Sequence, residues 1–312
     1  MATQQLVILG GTGFIGSHLL PRLVADGHRI VLLSRNREQH RELGVLPGVS
    51  VRSANVYDDD ALRRHLAGAD AVINLVGILN PRGPHTFQRA HVELTRRLIA
   101  ACHASGVPRL HQMSSLKAGQ GLSHYLKTRG EAEALVKASA LDWTIYQPSV
   151  IFGAGDGLVS RFAGLLRRMP LLPLARAQAR MAPTFVGDVA EAIARCVGSD
   201  KLGQRRTFEL YGPEVLTLGE IVRKIRAAAG LRTPIIALPD SLGRLQAQFA
   251  GLLPGKPFSL DNFRSLRTDS VGKVDGYAAL GIVPQPFSAW LPVLLNEPPR
   301  QRRLAAARSL RR

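Results

Sequence analysis

Cysteine, lysine, aromatic side chains and long apolar runs are all scarce in this chain. Cys102 and Cys196 are its only cysteines, and both fall in stretches with helical spacing. Two reduced, buried thiols in a cytoplasmic protein are expected rather than a disulfide framework. The longest apolar run, about Ala71 to Leu79, is interrupted by Asn74 and Gly77. It falls far short of the roughly 18–20 residues that span a bilayer. The first residues carry no basic cluster, and Gly10, Gly11, Gly13 and Gly16 break their apolar stretch, so no cleaved signal peptide is expected. The nine histidines form no HxH or HExxH spacing, which leaves a zinc site without support. No GxSxG elbow is present.

Acidic residues are also few. Lys and Arg number 41 against 23 Asp and Glu, a formal net charge of +18. Residues 1–150 and 151–299 each carry an excess of 6, and residues 300–312 hold six Arg and no acid. Aromatics are only 5% and do not interleave with the basic residues, so nucleic acid is disfavoured as a partner. Apolar residues reach 46%, enough for a core.

Short apolar runs alternate with amphipathic stretches through the first half. Strands are expected at Leu6–Leu9, Ile30–Leu33, Val49–Ser53, Ala71–Leu75, Leu110–Met113 and Thr144–Gln147. Helices are expected at Phe14–Ala25, Ala61–Leu66, Val92–Ala104 and Tyr125–Ser139. This alternation implies an α/β fold: a Rossmann-type doubly wound parallel sheet with a smaller C-terminal α/β lobe. The expected division is 1–153 for the Rossmann core, 154–299 for a lobe that completes the sheet and covers the cleft, and 300–312 for a basic tail.

The strongest local signal is Leu6-Val7-Ile8-Leu9-Gly10-Gly11-Thr12-Gly13-Phe14-Ile15-Gly16. Gly10 lets the chain turn off a buried strand. Gly13 lets backbone N–H groups approach a pyrophosphate, and Gly16 lets helix and strand pack closely. The helix start then faces the phosphates with its positive end. After the second strand comes Leu33-Ser34-Arg35-Asn36-Arg37, with no acid before Glu38. A guanidinium there suits a 2′-phosphate, so NADP(H) is favoured over NAD(H).

Gly10-Gly11-Thr12-Gly13-Phe14-Ile15-Gly16 resembles the extended and atypical short-chain dehydrogenase/reductase superfamily. Val72-Ile73-Asn74-Leu75-Val76-Gly77, Tyr125-Leu126-Lys127-Thr128-Arg129-Gly130-Glu131 and Gln147-Pro148-Ser149-Val150-Ile151-Phe152-Gly153 are similar to a narrower group. That group is the NADPH-binding accessory subunits of respiratory complex I and their bacterial relatives. Thr184-Phe185-Val186-Gly187-Asp188-Val189-Ala190 matches a segment common in epimerase-like members. The resemblance implies cofactor contacts from Gly10, Thr12, Gly13, Phe14, Ile15, Arg35, Asn55, Val56, Leu75, Val76, Gly77, Tyr125, Pro148 and Val150. It also implies a respiratory or quinone-biosynthesis complex as partner.

Active members of that superfamily carry a serine and a Tyr–Lys pair four residues apart on one helix face. Here the expected serine is Ser114 or Ser115, and the tyrosine is Tyr125. Arg129 stands where the lysine belongs. Lys127 lies about 200° round the helix from Tyr125 and cannot replace it. Arg keeps the charge without the compact geometry. Three readings remain open: a cofactor-holding protein with an altered catalytic site, an active oxidoreductase or sugar-nucleotide epimerase/dehydratase, and a redox sensor that binds a partner. Outside the cofactor site, Arg161 to Arg180 holds five Arg and no acid. It reads either as a core-facing helix with a charged outer face, or as a lip for an anionic or prenylated substrate or for lipid headgroups. Leu242, Leu245, Phe249, Leu252 and Leu253 have rough amphipathic spacing. Residues 300–312 could attach the chain to an anionic membrane from the cytoplasmic side.

Overall fold

A computed structural model describes residues 3–199, 201–252 and 258–296. The basic tail 300–312 and Leu253 lie outside the described residues. The chain forms two compact units, each assembled from three stretches. Of the described residues, one unit holds those within 3–148, 187–210 and 273–283, the other those within 149–186, 211–272 and 284–296.

The first unit holds the sheet. Its elements in chain order are β1 (Gln5–Leu9), α1 (Phe14–Ala25), β2 (Arg29–Ser34), β3 (Val49–Ser53), α2 (Asp59–Leu66), β4 (Ala71–Asn74), α3 (Leu94–Ser105), β5 (Arg109–Met113), α4 (His124–Ala138) and β6 (Asp142–Pro148). The strand Arg206–Leu210 pairs with β6, which gives the seven-stranded order β3-β2-β1-β4-β5-β6-(Arg206–Leu210). Every pair in the sheet is parallel. The expected α/β fold is therefore present, and the strand positions differ from expectation by at most two residues at an end. A larger difference precedes α3, where Gln88–Glu93 forms a π-helical turn.

The central strands are apolar at successive positions because both faces are covered. Val7, Leu9, Val72, Leu110 and Ile145 pack with Leu62 and Leu66 of α2, Leu94, Leu98 and Cys102 of α3, and Val136 of α4. The alternate residues Leu6, Ile8 and Ile73 are fully buried as well. Arg22 of α1 ties to the helix Val186–Val197 through Glu191 at 2.7 Å, and Glu191 also accepts from Arg195 at 2.7 Å. Burial raises the Cys102 thiol to about 12 and that of Cys196 to about 11, so neither is a reactive thiolate.

In the second unit Ile151–Phe152 pairs with Thr184–Phe185, and Leu172–Ala175 pairs with Ile235–Leu238, both parallel. The helix Val159–Arg168 buries Val159, Ala163 and Leu166 and exposes Arg161, Arg167 and Arg168. Arg176 pairs with Asp240 at 3.0 Å and stacks 4.4 Å over the Phe263 ring. The acid-free Arg161–Arg180 stretch thus contains an amphipathic helix with a charged outer side.

Candidate functional site

The strand order changes direction between β1 and β4, so their carboxyl ends flank the crevice where open α/β sheets hold ligands. The glycine loop leaves β1 there. Gly10 has φ +71°, and a Cβ on it would stand 2.9 Å from the Val76 nitrogen. The Gly13 N–H donates to the Gly10 carbonyl at 3.0 Å and closes the turn. A Cβ on Gly16 would collide with the Gly11 backbone, so helix and loop touch there. Gly13 is the N-cap of α1 and offers no side-chain cap, and no acid lies in the first turn. The leading N–H groups therefore lack an intrahelical partner and face outward. Phe14 and Ile15 begin that turn, and Thr12, Phe14 and Ile15 are all half-buried. The cradle fits a dinucleotide pyrophosphate.

The β4 end forms the other wall. Leu75 N–H donates to the Leu9 carbonyl at 2.9 Å, and Val76 N–H donates to Asn74 Oδ1 at 3.1 Å. Asn74 is buried and its Nδ2 donates to Gln112 Oε1 at 3.0 Å. This network fixes the backbone of Leu75, Val76 and Gly77 beside the glycine loop.

Past β2 and β3, Arg35, Ser53, Ala54 and Asn55 line a pocket. Arg35 is exposed, and its Nη1 lies 3.0 Å from His85 Nε2. A guanidinium only donates, so this imidazole nitrogen accepts and the proton sits on Nδ1. Arg37 is held by Glu38 at 3.2 Å, which leaves Arg35 the freer cation. Asn55 Oδ1 accepts from Tyr57 N–H at 3.1 Å, and Val56 packs on the core beneath. A second pocket, lined in part by Pro108, Asp142, Gln204 and Arg205, opens at the amino ends of β5 and β6, away from the glycine loop.

On α4 the tyrosine and its neighbours have defined partners. Tyr125 is half-buried, edge-on to Phe87 and His91, with the Arg129 guanidinium carbon 5.5 Å from its ring centre. Arg129 is buried, and its Nη1 donates to the Met113 carbonyl at 2.8 Å and to the Val76 carbonyl at 3.5 Å. Its other terminal nitrogen occupies the space a Cβ on Gly77 would need. Arg129 therefore ties the ends of β4 and β5 together. Ser114 Oγ donates to Glu133 Oε1 at 2.6 Å. Glu133 also accepts from Gln147 Nε2 at 2.7 Å and from Lys137 at 3.2 Å. Ser115 is buried and its Oγ has no hydrogen-bond partner among the described residues. Burial and the Arg129 charge push His91 down to about 2, so it is neutral, with Nδ1 2.9 Å from Thr128 Oγ1.

The structure brings Gly10, Thr12, Gly13, Phe14, Ile15, Leu75, Val76 and Gly77 to one edge of the sheet, and places Arg35, Asn55 and Val56 past its β2–β3 side. Ser114, Tyr125 and Arg129 sit at the β5–α4 side. Pro148 ends β6 and its carbonyl accepts from Leu116 N–H at 2.8 Å. Val150 belongs to the second unit, where its carbonyl accepts from Thr184 N–H at 2.9 Å. Sequence reasoning overlooked Glu133 and His85. Tyr125, Arg129, Glu133 and Lys137 recur every fourth residue on α4, a signal that could have exposed Glu133. His85 stands in a loop, and nothing local marks it. Among the described residues no group of three or more His, Cys, Asp or Glu is placed to hold a metal ion.

Such a glycine cradle at a parallel-sheet switch point defines an NAD(P)H-binding Rossmann protein. Residues 10–158 match the NAD(P)H-binding family. The chain is 30% identical to the ceramide reductase of Caulobacter vibrioides over 247 residues, which are 77% of this chain and 76% of that protein. It is 26% identical over 280 residues to the mitochondrial NADH dehydrogenase [ubiquinone] 1 alpha subcomplex subunit 9 of Arabidopsis thaliana, covering 85% of this chain and 70% of that one. An NADPH-dependent quinone oxidoreductase from Escherichia coli, solved with NADPH, shares the fold with a TM-score of 0.76 at 20% identity, over 93% of this chain and all of that one. A Staphylococcus aureus nucleoside-diphosphate-sugar epimerase does so with a TM-score of 0.74 at 20% identity, over 92% of this chain and 99% of that one. The chain belongs to the NAD(P)H-binding atypical short-chain dehydrogenase/reductase family and is an oxidoreductase-like relative of complex I subunit 9 and of reductases.

Proposed function

We propose that this chain holds NADPH as a tightly bound, slowly reacting cofactor within a respiratory-chain or quinone-linked assembly. The observation that carries the reading is Arg129. It stands where a lysine would serve the tyrosine, and its Nη1 donates to the Met113 and Val76 carbonyls. Ser114 directs its proton to Glu133 instead of towards a substrate oxygen. Proton transfer at Tyr125 then lacks both helpers, while the phosphate cradle is complete. When bound, the nicotinamide would supply hydride; the chain's residues hold the dinucleotide and fix its position. Preference for NADPH over NADH is supported by Arg35 beside the Ser53–Asn55 pocket, with no carboxylate at the β2 end. The assembly is suggested by the Arabidopsis relative, whose name makes it a complex I subunit. A place on the inner face of the cytoplasmic membrane follows from that partner.

Purified protein tests this directly. Stoichiometric NADPH should co-purify, and its fluorescence should decay only slowly when a short-chain ubiquinone or a carbonyl acceptor is added. Steady NADPH oxidation at ordinary reductase rates overturns the reading. A second reading, an active reductase, is favoured by the half-buried Tyr125 with a cation 5.5 Å away. Under it, Tyr125→Phe abolishes turnover while the glycine cradle still binds the nucleotide.

A further inference from the structure

The second unit carries a helix with two apolar sides. Asp240–Leu252 packs one side inward: Ala247 is fully buried with Ala175 and Phe263, and Gln246 Nε2 donates to the Pro173 carbonyl at 2.9 Å. Gly243 faces the same way, since a Cβ there would lie 3.0 Å from the Ala175 Cβ and the Phe263 ring. Leu242, Leu245 and Phe249 follow at spacings of three and four residues, which aligns them on the other side of the helix. They are 51, 47 and 65% exposed. A contiguous apolar stripe left to water on a short helix is an interaction surface.

We infer that this stripe inserts into the interface of an anionic phospholipid bilayer, with the helix lying flat. Charge selects this occupant over an apolar protein partner. The described residues of the stretches 149–186, 211–272 and 284–296 carry 12 Lys and Arg against 6 Asp and Glu. Arg244 on the helix, Arg264 on the neighbouring helix Leu260–Ser265 and Arg267 just past it are all exposed. None of the three has an ion pair among the described residues. The helix's own acid, Asp240, is neutralised by Arg176 at 3.0 Å. Apolar side chains flanked by unpaired guanidinium groups match acyl chains beneath acidic headgroups. Among the described residues no helix is long and apolar enough to cross a membrane, so this contact lies on the surface and does not span it.

Flotation of the full-length chain with phosphatidylcholine vesicles, with and without phosphatidylglycerol, tests the inference. Binding should require phosphatidylglycerol and weaken with salt. Leu245→Gln with Phe249→Gln, both at exposed helical positions, should weaken it by about tenfold or more with residues 300–312 still present. Phe249→Trp should give fluorescence that brominated acyl chains quench beyond the background from Trp143 and Trp290. The inference is overturned if the double variant binds as the parent does and removal of residues 300–312 alone abolishes binding. It is also overturned if the parent ignores vesicles but self-associates in a way the double variant relieves, because the stripe is then a protein contact.

Discussion

Arg35 and Arg129 do different work with the same side chain, and each is separately testable. Arg35 is exposed at a pocket rim with His85 3.0 Å away. Arg35→Ala should weaken NADPH binding by about 10- to 100-fold, as expected for loss of charged hydrogen bonds to a phosphate. NADH affinity should change less than about twofold, because NADH carries no 2′-phosphate. Titration of both nucleotides against the variant decides; parallel losses would assign Arg35 to general attraction. Arg129, by contrast, is buried and engaged with two carbonyls. Arg129→Lys returns a compact ammonium to the turn after Tyr125 and gives up the fork. NADPH oxidation with a carbonyl or quinone acceptor should rise by about tenfold or more if that helper limits turnover. Stability should fall by about 1–3 kcal/mol as carbonyl bonds are lost. An unchanged rate would place the obstacle elsewhere, with Ser114 and Glu133 the next residues to vary. Sequence revealed which residue replaces the lysine. It could not reveal where the guanidinium goes, because that depends on how the β4 and β5 ends approach α4.

At the scale of elements, the glycine loop was legible because its reasons are local. A positive φ, a close backbone and a helix start are all encoded within Gly10 to Gly16. Gly10→Ala forces a Cβ to 2.9 Å from the Val76 nitrogen at φ +71°. Nucleotide binding should drop by about 100-fold or more, with strain of about 1–3 kcal/mol at the β1–α1 turn. Gly68 is the control: its φ is +76°, but among the described residues nothing beyond its chain neighbours lies within 4 Å of a Cβ there. Gly68→Ala should cost only about 1–2 kcal/mol and leave binding intact. Melting temperature and nucleotide titration on both variants separate fold strain from a blocked cradle. Less legible was the start of α3. Its helical periodicity is clear from Val92, but the π-helical turn Gln88–Glu93 breaks that period ahead of it. That turn carries His91 and follows Phe87, the residues that pack against Tyr125, so the irregularity coincides with the site.

For the whole molecule, stability depends on pH through ionisable groups buried in its interior. His111 is buried under the sheet's own strands, and burial with the Arg109 charge lowers it to about 3; its Nδ1 lies 2.9 Å from the Tyr146 hydroxyl. His91 is lowered to about 2. Both bind fewer protons folded than unfolded at pH values below about 6.5, so their contribution to stability is present above that value and is lost as pH falls. Asp156 opposes them. Burial raises it to about 6 although three backbone N–H groups donate to it, so its contribution to stability is fully present below its unfolded value and is lost as pH rises through about 6. The two histidines outweigh the one carboxyl. Urea unfolding should therefore show about 2–3 kcal/mol less stability at pH 5 than at pH 7. His111→Gln keeps a hydrogen-bond partner for Tyr146 and removes one titration, which should cut the loss by roughly three-quarters, because Asp156 still offsets most of the remaining histidine's share. A pH dependence that is unchanged in this variant would move its origin to other groups, such as His28, which burial also lowers. None of this is visible in composition, because a histidine's titration depends on the layers that close over it, and the same fold that sets the phosphate cradle at its edge buries these imidazoles in its interior.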